Sequence, residues 1–335
     1  MAASWMSAFP YVEPTTVGVS QCLPGYLLAA GRHDVAREIL VDIAAHARDG
    51  LVLAKITTGK PDVPSTLWFA RAAYMYRQAS NDSAAWQERL LPAIKAAVQS
   101  LISTGPAAFR MDDGGMLAPK DGSVRADKVA ASVCPIGLNA LWYFMLSLLA
   151  EEMHALKNPS GDHFERLAGR FRRSFAKSFW CSAHGFLCDP ELQKDPNHAA
   201  AHGVPDPEQL LIATLPFSPI PRTKQRQIVL TIRDKSAAPR GVIMPKTSRE
   251  GGLQDSAAAE NTASALHLAW LVESLIVTSD TPARAAAECR PMLPAAGVVA
   301  RFYVGNVPAE IAENVLEHAP STAETARARQ MCGAG

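Results

Sequence analysis

The most regular hydrophobic pattern of the chain lies between Pro135 and Leu149. Its apolar side chains follow the i, i+3, i+4, i+7 spacing of one buried helical face: Leu138, Leu141, Trp142, Met145, Leu148 and Leu149. Asn139 and Tyr143 are four residues apart beside that face, so both lie on the same side of the predicted helix. The segment therefore predicts a buried helix that can carry polar groups to the edge of a pocket.

The same helical period recurs along the chain and predicts about eleven or twelve helices, separated by loops rich in glycine and proline. Two of the later helices are predicted to begin near Ala258 and at Val307. Strands are predicted only in short segments such as Gly185–Cys188 and Gly241–Met244. The expected class is all-α, with short β-hairpins inserted in the loops.

Paired helices with short loops at one end and long loops at the other are typical of an α/α toroid, in which an inner ring of helices surrounds a pocket. Periodicity alone leaves an α-solenoid open. We expect a single domain over residues 1–335, with an N-terminal extension at 1–14 and a C-terminal helix and tail at 319–335.

Charge and hydropathy exclude several classes of partner. Lysine and arginine total 33 against 32 aspartates and glutamates, so the formal net charge of +1 favours neither nucleic acid nor an anionic membrane. The start of the chain has no basic segment followed by an apolar one, and no apolar run is long enough to span a bilayer. We therefore expect a cytoplasmic protein with neither a nucleic-acid nor a membrane partner, and its oligomeric state stays open.

The cysteines and histidines give no metal or cofactor motif. The six cysteines are scattered without a Cys-x-x-Cys pair, which favours reduced, buried thiols. His198 and His202 have helical spacing but lie in a loop without the glutamate of a zinc protease. No glycine-rich nucleotide motif is present, so no metal and no cofactor are predicted.

Several segments, in the right order between about residues 15 and 275, resemble the amylo-α-1,6-glucosidase domain of glycogen debranching enzymes. They are Leu23-Pro24-Gly25-Tyr26, Leu67-Trp68-Phe69, Arg110-Met111-Asp112, Asn139-Ala140-Leu141-Trp142-Tyr143, Phe179-Trp180 and Gln209-Leu210-Leu211. The resemblance implies an (α/α)6 barrel, complete or incomplete, that binds a small molecule. It also implies the positions at which a sugar would bind.

Departures from the family pattern concentrate at those positions. The family's acidic residue before Ser-Leu-Trp-Phe is Pro64 here, and its glutamate before Asn-Ala-Leu-Trp-Tyr is Gly137. Its Trp-Met-Asp-Ala-Lys motif, which carries the acidic catalytic residue, falls on residues 124–128, with Ala126 at the aspartate position unless the loop slips by one. If the alignment holds, the pocket is more apolar than that of a glucosidase, because sugar hydroxyls need polar partners.

Glycoside hydrolysis ordinarily needs two carboxylates, one to protonate the leaving group and one to activate water or attack. The candidates for catalysis are Asp127, displaced by one residue, Glu260 and Asp62. Each has an ordinary alternative as a loop or helix-start acid in solvent. The candidates for substrate binding are Lys55, Trp68, Arg110, Asp112, Asn139, Trp142, Tyr143, Glu208 and Gln209.

The leading prediction is a glycosidase-like barrel that has lost glycoside hydrolysis. It would bind or transform a less polar small molecule by cyclisation, isomerisation or elimination, for which shape and one or two acid/base groups suffice. A residual α-glucosidase of the debranching type, using Asp127 and Glu260, is the first alternative. A non-catalytic scaffold or binding protein is the second, since a fold does not determine a function.

Overall fold

The computed structural model describes residues 15–56, 58–103, 109–119, 135–188, 203–243, 262–294, 302–304, 307–308 and 319–333. The described chain is mostly helical. Its α-helices are α1 (Thr16–Leu23), α2 (His33–Ala45), α3 (Val63–Ser80), α4 (Ser83–Ala85), α5 (Leu91–Ile102), α6 (Pro135–Ala155), α7 (Ser160–Phe179), α8 (Leu210–Thr214), α9 (Arg222–Ser236), α10 (Ala265–Thr278), α11 (Pro282–Cys289) and α12 (Ala319–Met331).

The strands are short and pair only antiparallel, as the sequence predicts. They are β1 (Phe109–Met111), β2 (Leu117–Pro119), β3 (Trp180–Cys181), β4 (Phe186–Leu187), β5 (Ala237–Ala238), β6 (Gly241–Ile243), β7 (Thr262–Ser264), β8 (Phe302–Val304) and β9 (Val307–Pro308). The first four form two hairpins, and β5 to β9 form one sheet in chain order. Strands predicted around residues 186 and 242 are confirmed.

The described residues fall into two compact units. One comprises residues up to 124 together with 141–174, and the other comprises residues 125–140 together with those from 175 onward. The expectation of a single domain over residues 1–335 stays a prediction. No helix of the described ranges is both long and apolar enough to cross a membrane.

In the first unit, α3 packs against α1 and α2 and carries much of the core. It begins at Val63 because Asp62 accepts a hydrogen bond from the Ser65 amide, as an N-cap residue does. It ends at Asn81, whose backbone is left-handed, and Asp82 then caps α4. The carboxylates of Asp62 and Asp82 thus bind backbone amides at helix starts. The sequence alone does not show that they are used in this way.

Helix α6 is the predicted segment at Pro135, and it is buried more completely than one apolar face requires. Every residue from 136 to 150 is buried except Ser147. Asn139 and Tyr143 are both among them, at 3% and 8% exposure. A helix that is apolar on nearly all sides belongs to the interior of a protein, so its polar residues face protein atoms.

In the second unit, α10 packs against α8, α9, α11 and α12. The prediction of a helix from about Ala258 is wrong at its start, because Thr262–Ser264 pair with β6 and β8 before α10 begins at Ala265. Val307 and Pro308 are likewise a strand paired with β8, where the sequence favours a helix. Strand pairing overrides helical periodicity at both places.

Glycine is needed where β6 meets β7. A Cβ atom at Gly241 would lie 2.8 Å from the Cβ and carbonyl carbon of Ala263 and from the carbonyl oxygen of Ser264. That separation is below normal contact, so the two strands approach closely only because residue 241 has no side chain. The position of β7, and of the helix that follows it, depends on this contact.

Candidate active site at the start of helix α10

Within the second unit, a buried carboxylate and a buried imidazole face each other. Oε1 of Glu208 lies 3.3 Å from Nε2 of His267, and the side chains are 16% and 6% exposed. Glu208 lies in a single 3₁₀ turn, Pro207–Gln209, and His267 lies in the first turn of α10. The pair therefore joins residues that are far apart in the sequence.

Ser264 contacts the other ring nitrogen of His267. Its Oγ lies 2.8 Å from Nδ1, and Ser264 is the N-cap residue of α10, three positions before the histidine. A carboxylate only accepts hydrogen bonds, so Nε2 donates to Glu208, while the serine hydroxyl, which can donate or accept, is the hydrogen-bond partner of Nδ1. Serine thus orients the ring and places its N–H towards the carboxylate.

The ring of His267 is also held by an aromatic neighbour. Trp270 is buried, and its ring meets the imidazole edge to face with centroids 5.1 Å apart. Edge-to-face contacts of this kind favour one ring orientation. Together with the bond to Ser264, this contact leaves His267 little freedom to rotate.

The turn that carries Glu208 is fixed on both sides. Oδ1 of Asp206 accepts a hydrogen bond from the Glu208 amide at 2.9 Å, as an N-cap residue does. The next residue, Gln209, is buried and binds the backbone of Leu187 twice: its Oε1 accepts from the amide at 2.9 Å, and its Nε2 donates to the carbonyl at 2.7 Å. Hydrogen bonds of the neighbouring residues Asp206 and Gln209 therefore hold the backbone of Glu208, and its side chain is not needed for this.

One oxygen of Glu208 has no hydrogen-bond partner among the described residues. This atom, Oε2, is buried. Among the described residues, no lysine or arginine pairs with this carboxylate, and its one ion-pair partner is His267. A buried carboxylate oxygen without a donor lowers stability, so the arrangement is not one that packing alone favours.

A second buried carboxylate cluster in the same unit shows what a structural arrangement looks like. Arg327 of α12 forms a two-pronged ion pair with Glu273 of α10 and donates from Nη2 to Oε2 of Glu324 at 2.6 Å. Burial by itself lowers the pKa of Arg327, but the attraction of both carboxylates outweighs it and raises that pKa. Oε1 of Glu324 is, like Oε2 of Glu208, buried without a hydrogen bond among the described residues, so the two sites differ in the guanidinium that pairs with the carboxylates of this cluster.

Two carboxylates predicted for the site have structural partners in the first unit. Asp62 accepts from the amide and the hydroxyl of Ser65 as the cap of α3. Asp112 closes the turn between β1 and β2, where its Oδ1 accepts from the Met116 amide at 2.8 Å. Trp142 supports the same turn, because its Nε1 donates to the carbonyl of Gly115 at 2.9 Å.

The other predicted residues occupy several environments. Lys55 is half-buried in the loop between α2 and α3, and Arg110 is exposed on β1. Trp68 is buried beneath the guanidinium of Arg71, and Tyr143 packs against Phe171 with ring centroids 5.3 Å apart. Asn139 in α6 and Gln209 in its turn are buried within the second unit, and Glu208 beside Gln209 is half-buried. Asp127 and Glu260 lie outside the described residues.

Within the described ranges, one group of side chains has metal-ligand character. His154 at the end of α6, Asp162 in the first turn of α7 and Glu165 in the turn that follows bring their ligand atoms within 4.8 Å of one another. All three are exposed, and the imidazole lies 3.4 Å from Glu165. Asp162 also stabilises the helix dipole, and His154 contacts Glu165 at the surface, which together account for this cluster without a metal.

Sequence reasoning selects Glu208 but misses Ser264 and His267. The signal for both is an N-cap serine followed three residues later by a polar side chain that can bond back to it. With the helix start placed near Ala258, residues 264 and 267 fall in mid-helix, where that spacing has no such meaning. Because β7 is too short to be recognised from the sequence pattern, periodicity does not locate the start of α10 or the site beside it.

Comparison with known proteins gives a family and a fold. The family model for amylo-α-1,6-glucosidase matches residues 19–248. The matched part includes Glu208 and stops before Ser264 and His267. A comparison with curated protein sequences finds no match.

Solved structures share the fold at low identity. A rhamnosidase from Klebsiella oxytoca with rhamnose bound is 16% identical, with a TM-score of 0.59 over 92% of this chain and 57% of that one. Neutral trehalase Nth1 from Saccharomyces cerevisiae is 14% identical, with a TM-score of 0.61 over 94% of this chain and 72% of that one.

These relatives are (α/α)6 glycosidases, which confirms the predicted fold class. The chain spans little more than half the length of the Klebsiella rhamnosidase. Because the family model covers most of its residues, the chain belongs to the amylo-α-1,6-glucosidase family.

Proposed function

We propose that this glycosidase-like chain has lost glycoside hydrolysis and binds or transforms a less polar small molecule at Glu208 and His267. The observation that carries the proposal is the carboxylate of Glu208, which contacts an oriented imidazole through Oε1 and keeps Oε2 buried without a partner. Such a group is poised for acid/base chemistry, and it costs stability when unused.

The chemistry available to this pair differs from that of a two-carboxylate glycosidase. Oε2 of Glu208 takes a proton from a bound molecule, which keeps the electron pair of the broken bond, while Nε2 of His267 holds the carboxyl group in place through Oε1. The same carboxyl group then returns the proton at another atom of the substrate. Proton removal and return at neighbouring atoms constitute an isomerisation, and proton removal coupled to loss of a leaving group constitutes an elimination.

Two features of the first unit support the loss of hydrolysis. Asp62 and Asp112 are both committed to backbone amides, as a helix cap and a turn closure. Pro64 is the second residue of α3 and is buried, at a position where the family resemblance implies an acid. Polar groups that a sugar would need are thus replaced or already bonded.

The test compares turnover and ligand binding in the same preparation. We expect no sugar release from α-1,6-linked glucose oligosaccharides, trehalose or rhamnosides at high enzyme concentration. We also expect at least one member of a library of sparingly hydroxylated metabolites to raise the thermal unfolding midpoint of the wild-type chain. Glu208→Gln should reduce that rise, because it removes the negative charge while keeping the shape of the side chain.

Glu38→Gln is the matched control, since Glu38 is an exposed carboxylate on α2. It should leave the ligand-induced rise unchanged. Glucose release that is lost in both Asp127→Ala and Glu260→Ala would overturn the proposal in favour of a residual α-glucosidase. Absence of any stabilising ligand across the library would instead favour the scaffold.

A further inference from the structure

The partnerless oxygen of Glu208 specifies what a ligand must offer. Oε2 is an acceptor only, and no donor among the described residues reaches it. The backbone on either side is held by Asp206 and by the double bond of Gln209 to Leu187, so the turn cannot easily bring a donor closer. Among the described residues, Oε2 of Glu208 is therefore left as an acceptor that a donor group of a ligand can fill.

His267 and Trp270, which lie beside Glu208, indicate what the rest of a ligand should be like. Oγ of Ser264 lies 2.8 Å from Nδ1 of His267, and the ring of Trp270 meets the imidazole with centroids 5.1 Å apart. A carboxylate beside these rings attracts a donor and repels an anion. The Glu208 side chain is 16% exposed while Oε2 itself is buried, so a ligand reaches that oxygen only after the side chain rotates.

We infer that Oε2 of Glu208 is the docking atom for a hydrogen-bond donor, a hydroxyl or an ammonium group, attached to an otherwise apolar ligand. The inference rests on the proposed function for its site and extends it by naming the ligand class. An analogue without the donor leaves the carboxylate oxygen unpaired in the complex. Its affinity should be lower by about tenfold or more, as expected for an unpaired buried acceptor.

Four cyclohexyl probes of similar size test the inference. Cyclohexanol carries a hydroxyl, cyclohexylammonium carries a cationic donor, methoxycyclohexane has no donor, and cyclohexanecarboxylate is an anion. Binding is followed through the ring carbon–hydrogen signals of a histidine-labelled full-length chain, with His267 identified by its loss in His267→Gln. This readout needs no turnover.

We expect cyclohexanol or cyclohexylammonium to shift the His267 signal and to bind about tenfold or more tightly than methoxycyclohexane. Glu208→Gln distinguishes the two donors: its amide oxygen still accepts from a hydroxyl, but it lacks the charge that favours an ammonium group. Glu38→Gln should change neither affinity. Cyclohexanecarboxylate should bind more weakly than both donors.

Equal affinity for the donor and donor-free probes, tighter binding of the carboxylate, or no shift of His267 by any probe up to its solubility would overturn the inference. Failure of the proposed function has a different signature. Sugar release that depends on Asp127 and Glu260 would refute the proposed chemistry, while the relative affinities of the four probes at His267 would still decide the ligand class.

Discussion

At the scale of single residues, hydrogen-bond partners decide which polar side chains remain available for chemistry. Asp62, Asp112 and Gln209 are all plausible ligand-binding residues by type, yet each satisfies backbone groups of its own chain. Glu208 is the member of the predicted set that keeps a buried acceptor unused. Residue type alone cannot separate these cases, because capping and binding use the same atoms.

Gln209→Met tests the structural role of the buried amide. Methionine has a similar volume but leaves both the amide and the carbonyl of Leu187 without a partner. We expect the free energy of unfolding in urea to fall by about 2–3 kcal/mol. Gln225→Met is the control, because Gln225 makes a single bond to the carbonyl of Ile220 and should cost less than about 1 kcal/mol. Equal losses in both variants would contradict this role.

Of the candidate site, the sequence predicts Glu208 but neither Ser264 nor His267. Glu208 follows a proline turn with an aspartate cap, and that signal is local. His267 depends on where α10 begins, and the start is set by pairing of β7 with strands on either side of it. Long-range pairing leaves no period in a three-residue segment, so sequence patterning could not locate it.

At the scale of elements, helix α12 is held by charge more than by apolar area. Its buried side chains are mostly small or polar, including Ser321, Glu324 and Thr325. Arg327 joins it to α10 through Glu273. Helix α10 buries a continuous apolar surface, so its hydrophobic residues recur at helical spacing in the sequence. The hydrophobic period of α12 is weak.

Arg327→Met measures this attachment. Removing the guanidinium leaves Glu273 and Glu324 facing each other without a counter-charge in a buried site. We expect a loss of about 3–5 kcal/mol in the free energy of unfolding, measured by urea denaturation. Arg284→Met, at an exposed pair with Glu288 on α11, is the control and should leave the free energy of unfolding close to that of the wild type. If the two losses are alike, α12 is attached by packing instead.

At the scale of the whole molecule, the fold class follows from periodicity while its subdivision does not. Helix content, loop insertions and the short antiparallel strands are all predicted, and the family resemblance supplies the barrel. The five cysteines in the described part of the chain are buried thiols outside any disulfide, as the scattered spacing predicts. The division into two compact units involves contacts that no local pattern records.

Thiol chemistry gives a prediction for the entire chain. Burial raises the pKa of Cys289 to about 11, and it also raises the pKa of Cys332, so few thiolates exist at neutral pH. In a Cys134→Ser background, native protein should react slowly with a disulfide reagent, and all five remaining thiols should react promptly in urea. A reductant should leave the unfolding midpoint unchanged. Rapid reaction of the native variant would contradict the burial of these cysteines.

The boundary of the family match at residue 248 separates the two halves of the candidate site. Glu208 belongs to the inherited part of the chain, and His267 belongs to a part that the family model does not match. A single substitution at His267 can therefore remove the imidazole while residues 19–248, by which the family is recognised, stay unchanged. Two chains equally similar up to residue 248 can differ in chemistry, so position 267 is the one to compare before an activity is transferred between them.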